Sequence, residues 1–136
     1  MLQIAISMLL RAGLTASAAA EIPDPYTLKH VIGRGKFGEV KNAVNSQGDQ
    51  VAVKIVPYET DQDKQRFNHE VRMMQQLHHT NIIRKVDQLV KDGHGYIYME
   101  VCKGGDLSYQ ILHRRISESI SRTIMRQLLT ALAYMH

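Results

Sequence analysis

Along this chain a two-residue alternation of apolar and polar positions gives way to a helical rhythm. From Tyr26 the run YTLKHVI alternates and is rich in branched side chains, which predicts a β-strand. Three glycines follow in IGRGKFGEV. In EVKNAV beyond them Val40 and Val44 share one face at period two, a second strand. NSQGD has the composition of a turn, and VAVKIV is a third strand, apolar throughout except for Lys54. Pleating sends Val51, Val53 and Ile55 to one face and Ala52, Lys54 and Val56 to the other. The period then changes in DQDKQRFNHEVRMMQQL, where Phe67, Val71 and Met74 recur at helical spacing and Leu77 follows. At about 100° per residue, Glu70 falls inside that apolar stripe, between Met74 and Leu77. A last helix is predicted in ESISRTIMRQLLTALAYMH. Ile120, Ile124 and Leu128 set its stripe, Ala131, Leu132 and Met135 extend it, and Met125 and Leu129 widen it.

Two of these positions are out of keeping with their surroundings. A lysine inside an apolar strand must snorkel to water or meet an anion, unless the strand lies at a sheet edge. A carboxylate inside an apolar helix stripe wants a cation. Lys54 and Glu70 therefore predict each other as an ion pair. The glycines, spaced G-x-G-x-x-G at Gly33, Gly35 and Gly38, can bring phosphate against bare backbone, but that spacing alone is shared by several folds. A dinucleotide-binding fold would open a helix at the last glycine. Here two antiparallel strands are joined instead, which makes the loop a flap and removes a dinucleotide oxidoreductase from consideration.

Composition narrows the picture further. The 136 residues suffice for one domain, and 44% hydrophobic with 22% charged residues is ordinary for a globular chain. The net charge of +4 is spread out. Only HRR at 113–115 clusters, with no interleaved aromatics, so nucleic acid is not an expected partner. The single cysteine, Cys102, rules out an internal disulfide and a cysteine zinc site. None of the seven histidines pairs at ligand spacing on a helix face, so no metal site is expected. The first twenty residues are apolar, but Arg11 interrupts any membrane span and a signal peptide's basic start is missing. With Pro23 and Pro25 behind them, residues 1–25 are expected to be a poorly ordered leader and linker, ahead of a cytoplasmic domain with no membrane partner.

Taken together, these residues resemble the amino-terminal part of a protein kinase, from about Tyr26 to the end of the chain. The glycine loop of that family, G-x-G-x-x-G-x-V, is matched by Gly33, Gly35, Gly38 and Val40, with Phe37 as its aromatic tip. VAVK is similar to the family's V-A-I-K strand, Glu70 to its C-helix glutamate, and HHTNII to the turn into a fourth strand. YIYMEVCKGGDL resembles the fifth strand and hinge, with Met99 as gatekeeper. GGDL is similar to the serine/threonine type and to its NIMA-related group. The resemblance implies an α+β fold: an antiparallel five-stranded sheet with a C-helix, plus the first helices of a truncated larger lobe. The small lobe would be residues 26–102, and the hinge and start of the large lobe 103–136.

By the same resemblance, ATP is the ligand. Backbone N–H groups from Lys36 through Phe37 to Gly38 would cover its phosphates, and Lys54, held by Glu70, would touch the α- and β-phosphates. Val40, Ala52 and Leu107 would enclose the adenine, the Glu100 carbonyl and Cys102 N–H would bond its edge, and Asp106 would reach the ribose or cap a helix. The position six residues after His79, apolar in the family, is Lys85, unless a one-residue shift puts Val86 there. No H-R-D-x-x-x-x-N or D-F-G occurs before His136. The catalytic aspartate and the ligands for Mg²⁺ are therefore expected only in a complete kinase, and this chain alone is expected to be inactive. A non-catalytic pseudokinase scaffold is the rival reading, and the last helix of the incomplete kinase is expected to be exposed and open to self-association or partner binding.

Overall fold

The chain's third strand is buried from Val51 to Val56, and the rest of the architecture explains why. The computed structural model describes residues 26–113 and 116–136. The expected leader at 1–25, and Arg114 and Arg115 of the basic cluster, lie outside the described residues. Five strands form one antiparallel sheet: β1 Tyr26–Gly35, β2 Gly38–Asn45, β3 Gln50–Pro57, β4 Lys85–Lys91 and β5 His94–Glu100, in the order β1-β2-β3-β5-β4. The helices are α1 Asp61–Gln76, α2 Leu107–His113 and α3 Glu118–Met135. This is the α+β, kinase-like arrangement with a five-stranded sheet.

β3 lies at the centre of the sheet and is covered on both faces. On one side Val51, Val53 and Ile55 cluster with Ala43, Tyr96 and Tyr98, and Tyr26, Leu28 and Leu89 pack on the same cluster. Those last three come from β1 and β4, the two edges, so the sheet curls until both edges pack on its middle. Tyr26 stacks on Tyr98 at 4.1 Å between ring centroids. On the other side Ala52, Val56, Ile97 and Met99 meet Phe67 and Val71 of α1. Phe67 packs so closely on β5 that a Cβ at Gly95 would stand 2.5 Å from its ring.

α1 begins at Thr60, whose hydroxyl accepts from the Asp63 N–H while the Asp63 carboxylate accepts from Thr60 N–H, a reciprocal cap. At the β4–β5 hairpin Asp92 and Gly93 take φ of 50° and 73°, the left-handed pair favoured in two-residue hairpins. α3 is seated on the loop after α1. The Tyr134 hydroxyl accepts from His78 N–H at 3.0 Å and lies 3.3 Å from the Gln76 carbonyl oxygen, and the His79 ring leans on the Tyr134 ring.

β1 differs from expectation in length. It continues through the first two glycines, with Gly33 opposite Val40 and Gly35 opposite Gly38, and irregularities in register between Leu28 and Gly33. The hairpin tip is therefore only Lys36 and Phe37. β4 carries a bulge at Val86: Lys85 stands opposite Met99 and Asp87 opposite Tyr98. The one-residue shift does not occur, because the bulge absorbs Val86, which is largely exposed. Lys85 keeps the position beside Met99.

Candidate functional site

The glycine hairpin is held against β3 by a contact that only glycine permits. At Gly38 φ is +148°, and a Cβ there would meet the Ile55 carbonyl oxygen at 2.0 Å. This close approach carries the tip, Lys36 and Phe37, out over the helix-facing side of the sheet. There Lys54 points from the middle of β3, 8% exposed and the only buried charged residue among those described. Its ammonium donates to both carboxylate oxygens of Glu70, at 2.7 and 2.8 Å. The carboxylate comes from the middle of α1, one turn beyond Phe67, whose burial fixes the face that α1 presents. A desolvated lysine paired this way is a fixed positive charge with a donor to spare.

Between the hairpin tip, β3 and α1 lies a cavity of about 840 Å³ whose wall includes Lys36, Phe37, Lys54, Arg66 and Glu70. It opens at the Lys54 end of the expected site. Val40, Ala52 and Met99 gather in the adjoining apolar cluster against α1. Leu107 is not among them. It begins α2 and faces Ile111, Ile116, Ile124 and Met125 in a separate groove between α2 and α3.

The hinge end is organised by Glu100 and Asp106. The Glu100 N–H donates to the Arg84 carbonyl, and its carboxylate accepts from Arg84 N–H at 2.9 Å, which ties the end of β5 to the chain entering β4. Asp106 Oδ1 accepts from Ser108 N–H at 2.8 Å, the capping geometry for α2. Cys102 is half-buried, and burial, then the nearby Glu100 carboxylate, push its thiol pKa up, so it stays a neutral thiol. Among the described residues no three histidine, cysteine or carboxylate side chains converge as a metal site. No helix among them is long and apolar enough to cross a membrane.

A contact that sequence reasoning missed joins the tip to α1. The Phe37 ring lies over the Arg66 guanidinium, 5.2 Å from Cζ to the ring centroid. The available signals were an aromatic at a hairpin tip and a cation one helical turn before Glu70.

A glycine hairpin laid over an ion-paired lysine, on a five-stranded sheet crossed by one helix, defines a kinase-like small lobe. Comparison with known proteins agrees. The protein kinase domain matches residues 26–136, and the chain belongs to the protein kinase family. A serine/threonine-protein kinase of Drosophila persimilis is 37% identical over 124 residues, covering 89% of this chain and 16% of that protein. CBL-interacting serine/threonine-protein kinase 24 of Arabidopsis thaliana is 35% identical, covering 82% and 26%. Calcium-dependent protein kinase 5 of Plasmodium berghei is 34% identical, covering 79% and 20%. The chain thus spans between 16% and 26% of the length of these relatives.

Proposed function

We propose that residues 26–136 are the ATP-binding part of a cytoplasmic serine/threonine protein kinase. The observation that carries this reading is the Lys54–Glu70 pair beneath the glycine hairpin, beside an open cavity. A buried ammonium whose only carboxylate partner among the described residues comes from α1 suits the phosphates of ATP, which would supply a second anionic partner. The N–H groups of Lys36 to Gly38 would lie against the phosphates, Val40 and Ala52 would form an apolar roof for the adenine, and Met99 would close its inner end. The Glu100 carbonyl and Cys102 N–H would meet its edge. Asp106 already spends Oδ1 on its cap, so a ribose contact would fall to its other oxygen. Leu107, which also lines the groove between α2 and α3, would complete the enclosure of the adenine, as the resemblance implies. Bound ATP supplies the transferable phosphoryl group.

Mg²⁺ would be held by the ligands of a complete kinase, whose H-R-D-x-x-x-x-N and D-F-G motifs do not occur in these 136 residues. No residue of the 136 is assigned as catalytic base, and phosphoryl transfer to protein serine or threonine is proposed for a complete kinase rather than for this segment alone. Titration with a fluorescent ATP analogue tests the reading. Wild-type protein is expected to bind saturably, and Lys54→Met to lose about tenfold or more in affinity, as for a lost charge-assisted hydrogen bond. Equal affinity in a folded Lys54→Met variant would overturn it.

A partner-binding scaffold is the second reading, favoured by one observation. Ile111, Leu112, Ile120, Met125 and Leu129 leave an apolar flank of α2 and α3 exposed, Leu112 at 78%. Self-association through this flank is proposed with it.

A further inference from the structure

The glycine hairpin is fastened to α1 through its tip. Arg66 stands one helical turn before Glu70, on the same side of α1, and its guanidinium meets the Phe37 ring at 5.2 Å. The guanidinium is itself steadied, with Nη1 3.9 Å from Asp63 Oδ1. Asp63 is steadied in turn by Thr60, whose N–H and hydroxyl donate to its Oδ2 at 3.1 and 2.6 Å. A continuous series of contacts therefore runs from the cap of α1, through Asp63 and Arg66, to the tip of the hairpin. Phe37 is 44% exposed, so burial alone rewards its position weakly. The Lys36 ammonium, 5.3 Å from the same ring, moves with the tip, so the planar Arg66 guanidinium is the cation that ties the ring to α1.

We propose that Arg66 is a positioning residue for the glycine hairpin, latching Phe37 so that closure over the cavity is coupled to the position of α1. Arg66 and Glu70 ride on one helix. A displacement of α1 that parts Glu70 from Lys54 also withdraws the platform beneath Phe37, and a closed hairpin favours the helix position in which the pair is made. The latch itself is independent of any ligand. Its effect on nucleotide affinity rests on the ATP reading above.

The chain contains no tryptophan, so Phe37→Trp places a single tryptophan at the tip, excitable apart from the six tyrosines, and preserves the ring–cation contact. In the nucleotide-free protein, adding Arg66→Gln is expected to shift Trp emission to the red and raise its quenching by acrylamide. Arg66→Lys, which keeps charge but loses the planar face, is expected to fall between. In the Phe37 background, amide exchange at Lys36 and Phe37 is expected to quicken in Arg66→Gln. Affinity for a fluorescent ATP analogue is expected to fall about two- to fivefold, the effect of one exposed cation–π contact. Arg66→Gln should then add nothing to Phe37→Ala. Unchanged emission, quenching and exchange in Arg66→Gln would overturn the latch, as would fully additive losses of affinity. Failure of the wild-type protein to bind ATP would overturn the nucleotide reading alone, and the nucleotide-free measurements would still decide the latch.

Discussion

Gly38 shows how one residue sets the geometry of a hairpin. Its φ of +148° and its approach to the Ile55 carbonyl leave no room for a side chain, and the obstacle is backbone in the central strand. Gly38→Ala must therefore lift β2 from β3 or strain both. The expected loss is at least about 1–3 kcal/mol, the range for a residue forced into a sparsely populated conformation. Thermal melting of Gly38→Ala against wild type measures it, and an unchanged midpoint would contradict the assigned contact. Lys54 and Glu70 make the opposite point. Neither has an unusual backbone, and each is anomalous only through its neighbours. That is why the pair could be read from the chain: a polar residue in an apolar pattern states a requirement, and the partner that meets it breaks its own pattern. Phe37 and Arg66 carry no such mark, since an exposed aromatic and an exposed arginine satisfy water without each other. Their meeting depends on the curl of the hairpin, which the pattern of side chains does not encode.

Among the elements, α1 owes its start to a cap that titrates. Hydrogen bonds from Thr60 to the Asp63 carboxylate, side chain first and backbone second, hold the Asp63 pKa below the usual carboxylate value. A depressed folded pKa means that the carboxylate's share of the cap is present above the unfolded value, about 3.9, and is lost as pH falls through the folded one. Thr60→Ala is expected to destabilise α1 at neutral pH, and the gap from wild type to narrow as Asp63 protonates, leaving the share owed to the Thr60 hydroxyl accepting from the Asp63 N–H. Helix content followed during acid titration of both proteins measures this, and a gap that stays constant through that range would contradict the cap. Strand boundaries were less legible than helix periodicity. Branched residues marked β1, but a pattern of side chains cannot show that Gly33 and Gly35 are paired strand positions, because glycine gives no face to read. The bulge at Val86 was hidden for a related reason. It moves register without altering composition, and only pairing with β5 reveals that Lys85 rather than Val86 faces Met99.

At the scale of the whole molecule, the sheet and α1 form a unit with two buried clusters, whereas α3 buries only Ile124 and Ala131 fully. Its wide apolar stripe was visible from the four-residue recurrence. Its seat was not, because Tyr134 and the loop at His78 lie 56 residues apart and meet only in the fold. The exposed flank predicts concentration-dependent self-association of the purified chain and binding of a hydrophobic dye. Size-exclusion chromatography over a range of concentrations tests this, and a monomer at every concentration that binds no dye would count against the flank as an interface.

The central claim is that Lys54 faces the phosphates of bound ATP. An acyl-phosphate derivative of ATP, which transfers its acyl group to an amine beside the phosphates, tests it most directly. Peptide mapping after brief exposure is expected to find Lys54 as the main modified lysine, with excess ATP abolishing the modification. Labelling spread over exposed lysines such as Lys29 and Lys103, undiminished by ATP and sparing Lys54, would contradict the account.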